Sequence, residues 1–191
     1  MKTAGAPEES EVKIPVADLA PVRLALVDAG AVPVSQIHLE CNTLFDRPRG
    51  ILARAGKALR LRRARGRAIL TLKGPARWEG KIKRREELEI DVSDPEAFEA
   101  MLDRLGYAPR FRYEKKREEF AFDGCVVALD ETPIGRFVEI EGAPGEIEAA
   151  ARQIGLSLAD AVEGSYPSLY QRARKNDPSL PADMRFPDSP A

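Results

Sequence analysis

Apolar and charged residues alternate with a period of two over much of this chain, the pattern of strands with two unlike faces. Glu9-Ser-Glu-Val-Lys-Ile14 puts charge on one parity and Val12 and Ile14 on the other, and Pro15 closes it. Alternation or apolar runs bounded by turn residues predict seven more strands, over Gln36 to Asp46, Lys57 to Ala64, Ala68 to Lys73, Lys81 to Val92, Arg110 to Phe122, Cys125 to Glu131 and Arg136 to Glu141. Arg65-Gly66 and Asp123-Gly124 mark hairpin turns. Helical spacing takes over in three places. Ala17 to Gly30 sets Leu19, Val22, Leu26 and Val27 on one side, with Asp18 to cap it and Gly30 to stop it. Asp94 to Leu105 opens with a capping Asp and Pro95 at the first helical position. Pro144 to Ile154 is the third helix, Leu158 to Arg174 holds shorter helical pieces, and Gly74 to Gly80 reads as a loop. Short connections between most strands predict an α+β fold with a largely antiparallel sheet.

The organisation along the chain is then a short N-terminal tail over 1–8, one domain over 9–174 and a C-terminal tail over 175–191. Pro178, Pro181, Pro187 and Pro190 predict that the last stretch is poorly ordered. A length of 191 residues suits one domain with its own core. Thirty Lys and Arg against 31 Asp and Glu leave a net charge of −1, which argues against a polyanion-coating protein, so no nucleic-acid partner is expected. No apolar run approaches the roughly 18–20 residues of a membrane helix, and Met1 to Glu9 lacks the apolar centre of a signal peptide. Cys41 and Cys125 stand alone on different segments, so neither a disulfide framework nor a CxxC metal site is present, and a reducing cytoplasm fits. The single histidine, His38, removes sites built from several imidazoles, and no Gly-x-Ser-x-Gly elbow accompanies it.

The charged parity carries the chemistry. It holds Lys13, Arg60, Arg62, Lys73, Arg85, Lys115 and Arg117 as cations, with Glu9, Glu11, Glu87, Glu89, Asp130, Glu139 and Glu141 as anions. The other parity is apolar: Val12, Ile14, Leu59, Leu61, Leu70, Leu72, Leu88, Ile90, Leu129, Val138 and Ile140. An open sheet with helices on its apolar face and water on the other satisfies this pattern. So does a closed barrel with the charges inside, provided the interior is wet and holds a highly charged ligand, because dry unpaired ions cost several kcal/mol each. Spacing does not choose between them.

The order of the motifs does. Glu9-Ser-Glu11-Val-Lys13 resembles the ExExK signature that opens the CYTH superfamily, the triphosphate tunnel metalloenzymes. Leu59-Arg60-Leu-Arg62, Leu72-Lys73-Gly-Pro75, Arg85-Glu-Glu87-Leu-Glu89, Glu114-Lys115-Lys-Arg117, Ala128-Leu-Asp130, Gly135-Arg-Phe-Val-Glu139-Ile-Glu141 and Ser165-Tyr166-Pro-Ser-Leu169 follow in family order. The resemblance implies an eight-stranded antiparallel β-barrel with flanking helices and a triphosphate threaded through it. It implies that the seven cations bind the phosphates and that Glu9, Glu11, Asp130, Glu139 and Glu141 hold Mg²⁺ or Mn²⁺. Glu87 and Glu89 either touch metal or orient neighbouring arginines. Lys13 and Lys73 are the candidate catalytic lysines, with phosphate binding the ordinary role for both.

Two reactions suit such a tunnel. A class IV adenylate cyclase turns ATP into cyclic AMP and pyrophosphate; a triphosphatase hydrolyses tripolyphosphate or thiamine triphosphate. Asn42-Thr-Leu-Phe-Asp46, the Glu114 strand and the Ser165-Tyr-Pro-Ser-Leu169 close look closest in layout to the cyclase branch. The expected partner is a small-molecule triphosphate, and self-association as a homodimer stays open. His38 reads as packed or surface-exposed, Trp78 as a loop residue at a tunnel mouth or against a base, and Tyr166 as packing for the C-terminal helical segment.

Overall fold

The computed structural model describes residues 7–189. Among these described residues there are nine strands: β1 (Glu8–Val16), β2 (Val32–Asp46), β3 (Ala58–Ala64), β4 (Arg67–Lys73), β5 (Arg77–Glu79), β6 (Ile82–Asp91), β7 (Ala108–Phe122), β8 (Cys125–Thr132) and β9 (Gly135–Glu141). Five α-helices join them: α1 (Ala20–Asp28), α2 (Ile51–Arg54), α3 (Pro95–Arg104), α4 (Pro144–Gln153) and α5 (Tyr166–Asn176), with one 3₁₀ turn at Leu158–Asp160. All strand pairs are antiparallel and run in the order β1-β9-β8-β7-β2-β3-β4-β6. Pairing of β1 with β6, Glu9 opposite Arg85 and Glu11 opposite Lys83, returns the order to its start. The sheet is a closed eight-stranded barrel.

The predicted hairpins form for the predicted reason. Arg65 and Gly66, and Asp123 and Gly124, all have positive φ, the backbone of the two-residue turn whose twist matches the flanking strands. Asp94 caps α3 by accepting from the Ala97 amide at 2.9 Å. Outside the barrel the apolar parity packs under helices. Val12, Ile14, Leu129, Val138 and Ile140 form one core with Leu26 of α1 and Ile147 of α4. Leu61 and Phe45 pack with Leu102 of α3. A third, aromatic cluster of Phe111, Tyr113, Phe137, Tyr166 and Tyr170 joins α5 to the barrel.

Beyond the earlier start of β2 and the unexpected short α2, three segments differ from the sequence reading. Glu8 already belongs to β1, and of the expected N-terminal tail residues 1–6 lie outside the described residues. The Gly74 to Gly80 loop contains β5, which pairs Arg77, Trp78 and Glu79 with β6. The proline-rich C-terminal stretch packs against the barrel: Met184 is fully buried and bridges in parallel to Tyr113. Prolines spaced along an extended strap leave enough backbone donors free to dock it, so their density does not prevent order.

Candidate functional site: a charged tunnel

Closing the barrel turns the charged parity inward. A cavity of about 310 Å³ inside it is lined by Glu9, Glu11, Lys13, Arg60, Arg62, Lys73, Arg85, Glu87, Glu89, Lys115, Arg117, Glu139 and Glu141, which is every predicted site residue except Asp130. The strand register explains the convergence, because cross-strand neighbours on one face lie close together. It sets Lys13 beside Glu139, Glu11 beside Glu141, Lys73 beside Glu87 and Arg117 beside Asp130.

Most of these charges are paired across strands. Lys13 donates to Glu139, and Lys73 donates to Glu87 at 2.5 Å. Arg60 reaches Thr71 at 3.1 Å and Glu89 at 3.4 Å. Arg85 instead donates to the Gly74 and Gly56 carbonyls, which anchors its guanidinium to the loops at the rim. Asp130, expected among the metal ligands, is not among the residues that line the cavity. It is fully buried on the inward face of β8, covered by the side chains around it: Arg117 donates to both its oxygens and Lys115 and the Tyr166 hydroxyl donate to one. With its lone pairs so occupied, Asp130 orients the two cations that face the cavity. Although burial opposes it, Arg117 and Lys115 hold its carboxyl far below the usual range.

The carboxylates on β1 and β9 behave differently. Burial, then the nearby Glu141 and Glu87, pushes Glu9 up to about 8. Burial, then Glu11 and Glu87, raises Glu141. Glu9 and Glu141 thus have too little positive charge around them, a deficit that fits a divalent cation, whereas at Glu11, although burial opposes it, Lys83 and Lys13 hold the carboxyl far below the usual range. Glu11 is held by Lys83 at 2.5 Å, and among the described residues no three acidic, histidine or cysteine side chains form a closed metal-ligating group. The fit therefore rests on donor chemistry: Glu9, Glu11 and Glu141 are oxygen ligands of the kind Mg²⁺ or Mn²⁺ takes, whereas Glu139 is engaged by Lys13 and Arg117. Burial, with Lys115 and Lys83 nearby, brings Lys13 down to about 7. Burial and Arg60 bring Lys73 down to about 8.

The structure adds residues that the sequence reading missed. Lys83 lines the cavity beside Glu11; it shares parity with Arg85, the signal that would have found it. Glu40 is buried on β2, 3.4 Å from both Arg62 Nη1 and Lys115 Nζ. It shares parity with His38 and Asn42 on the regularly paired part of β2, the signal that would have found it. Tyr113, Tyr166, Leu44 and Pro167 supply an aromatic and apolar portion of the lining. The Tyr166 ring lies under Lys13 Nζ at 3.9 Å and near Lys115 Nζ at 5.3 Å. Trp78, on β5, is 40% exposed and is not among the residues that line the cavity. His38 is half-buried, with Nδ1 on the Gln36 carbonyl and Nε2 3.8 Å from Glu40.

A family model for the CYTH domain matches residues 8–166. The chain belongs to the CYTH domain family. Its barrel is the CYTH tunnel fold, and solved structures share it. A proposed adenylate cyclase from Vibrio parahaemolyticus superposes with a TM-score of 0.77 at 22% identity, over 87% of this chain and 99% of that one. The PH1819 protein of Pyrococcus horikoshii gives 0.70 at 26% identity, over 87% and 99%. A proposed adenylyl cyclase from Hippeastrum, described as having a dominant triphosphatase activity, gives 0.64 at 18% identity, over 92% and 99%. No curated protein matches the chain in sequence. Among the described residues no helix is long and apolar enough to cross a membrane.

Proposed function

We propose that this CYTH protein is a divalent-metal-dependent enzyme that acts on a triphosphate bound in its tunnel, and that the reaction is conversion of ATP to cyclic AMP and pyrophosphate. The observation that carries the triphosphate reading is the meeting of seven predicted cations in one cavity that also holds two carboxylates, Glu9 and Glu141, short of positive charge. A triphosphate brings roughly four negative charges, which arginines can meet with bidentate bonds. Arg60, Arg62, Arg85, Lys73, Lys115 and Arg117 bind and straighten the phosphate chain, and Asp130 keeps Lys115 and Arg117 pointed at it. Glu9, Glu11 and Glu141 hold Mg²⁺ or Mn²⁺, with Glu139 beside them. Such an ion, when bound, neutralises phosphoryl oxygens and eases loss of a proton from an attacking oxygen. Lys13 and Lys73 flank the reacting phosphate. With positioning and electrostatics supplying most of the rate, the absence of a histidine from the lining is no obstacle.

The motif layout and the Vibrio likeness support cyclisation. The Hippeastrum structure favours a second reading, hydrolysis of tripolyphosphate or an organic triphosphate such as thiamine triphosphate. The deciding experiment is ³¹P NMR of the protein with Mg²⁺ or Mn²⁺, run separately on ATP and on tripolyphosphate. Cyclic AMP with pyrophosphate is the expected result. Orthophosphate from either substrate without a cyclic product establishes the hydrolase, and no turnover or binding of either overturns the triphosphate reading.

A further inference from the structure

Beyond the matched span of 8–166, the chain continues through α5 into a strap that crosses the outside of the barrel. We infer that this strap is a latch that holds the floor of the tunnel in its ligand-binding shape, with Glu114 and Met184 as its positioning residues. The inference rests on the reading that a triphosphate binds in the tunnel.

The latch exists because β7 outruns its neighbour. β8 pairs with β7 only from Lys116 onward, which leaves the edge of Arg112 to Glu114 free on that side. Met184 takes that edge: its amide donates to the Arg112 carbonyl at 3.0 Å, and its carbonyl accepts from the Glu114 amide at 2.8 Å. The Glu114 carboxylate, 3% exposed and pointing away from the cavity, is wholly given to the strap. It accepts from Arg185 Nε and the Phe186 amide, each at 3.0 Å, and from the Ser189 hydroxyl. A buried carboxylate with three donors from one segment is a strong, directional anchor. On the other side the Tyr170 hydroxyl donates to the Pro181 and Asp183 carbonyls at 3.0 and 3.1 Å, tying the strap to α5.

The two points gripped are those that carry the tunnel floor. Tyr113 lies between Arg112 and Glu114, Lys115 follows at once, and Tyr166 opens α5; all three line the cavity. The Met184 side chain, with no exposure, packs in the same cluster as Tyr113 and Tyr166. Tyr166 in turn donates to Asp130 at 2.6 Å and underlies Lys13. Loosening the strap therefore frees Tyr113 and Tyr166 without touching any phosphate-binding side chain, and small displacements of such groups cost binding steeply.

The test uses the full chain with Met184→Ala, Glu114→Gln and the conservative Met184→Leu. Hydrogen exchange reads the amides of 112–115 and 166–170 against those of β1 and β9, and calorimetry reads tripolyphosphate binding with Mg²⁺. For Met184→Ala and Glu114→Gln the expected result is exchange faster by about tenfold or more at the gripped segments alone. Tripolyphosphate Kd should rise about tenfold, with Met184→Leu near wild type. Unchanged Kd, or faster exchange spread evenly through β1 and β9, overturns the latch. If the wild-type chain itself binds no tripolyphosphate, it is the tunnel reading that fails, a result the variants do not enter.

Discussion

The two walls of the barrel obey the same alternation and yet live in different surroundings. On β1, β8 and β9 the outward residues Val12, Ile14, Val127, Leu129, Val138 and Ile140 are at most 1% exposed under α1 and α4. On β4 and β6 the outward residues pair Leu72 with Leu88 and Leu70 with Ile90, and Leu88 and Ile90 remain 53% and 60% exposed. The inner faces differ as well. The helix-covered wall carries the carboxylates Glu9, Glu11, Glu139 and Glu141 with one lysine, Lys13, while β3, β4 and β6 carry Arg60, Arg62, Lys73, Lys83 and Arg85 with Glu87 and Glu89. Under the proposed function, the well-packed wall carries the carboxylates assigned to a metal, and the thinly covered wall carries long cations assigned to phosphate. Alternation sets which side faces the tunnel; it says nothing of what covers the other side.

The largest effect should come from the inner face of the covered wall. Under the proposed function, replacing Glu9 and Glu11 together by Gln keeps shape but removes two metal-ligand charges, and turnover should fall by at least about a hundredfold, more than the lost Lys83–Glu11 pair would explain through stability. Full activity of that variant under the ³¹P assay would remove these residues from metal binding. The outer face of the same wall comes next. Ile140→Ala opens a cavity in a fully buried site, and urea unfolding should report a loss of about 2–5 kcal/mol. A loss near zero would mean that α4 does not hold the wall.

How much of this was legible in the sequence follows from which contacts are local. Glu9, Glu11 and Lys13 share a strand, so their common face is fixed by spacing alone, and seven of the eight motif segments meet in one cavity. Asp130 was placed by the same logic, but its burial behind Arg117 and Lys115 depends on how tightly two adjacent strands pack, which spacing does not report. Glu40 shows the polar parity of its strand, with His38 and Asn42, but its meeting with Arg62 and Lys115 depends on pairing with β3 and β7, which spacing within one strand does not report. The strap escaped for another reason: Arg185 meets Glu114 across 71 residues, and nothing near Pro178 or Pro181 marks where those donors will land.

Glu40 gives a smaller, pH-dependent effect on the side opposite the carboxylate wall. Burial opposes its ionisation, yet Lys115, Arg117 and Arg62 pull it down to about 2. Its folded value lies below the ordinary 4.5, so its share of stability is complete above about pH 4.5 and is lost as pH falls from there through about 2. Glu40→Gln should flatten the acid limb of the stability curve over that window in denaturant titrations. An acid limb identical to wild type would show that the carboxylate is not paired with those cations in solution.

The smallest effect belongs to the exposed wall. Leu88 lies opposite Leu72 on β6, with half its surface already in water, so Leu88→Lys gives up little burial and places a charge where solvent reaches it. Stability should move by no more than about 0.5 kcal/mol. The contrast with Ile140→Ala then stands as a difference of covering, since both residues occupy the apolar parity of their strands. A loss comparable to Ile140→Ala, and growing with protein concentration, would instead mean that Leu72, Leu88 and Ile90 meet another copy of the chain in solution. In that case the two walls would be built alike, one closed by its own helices and the other by association.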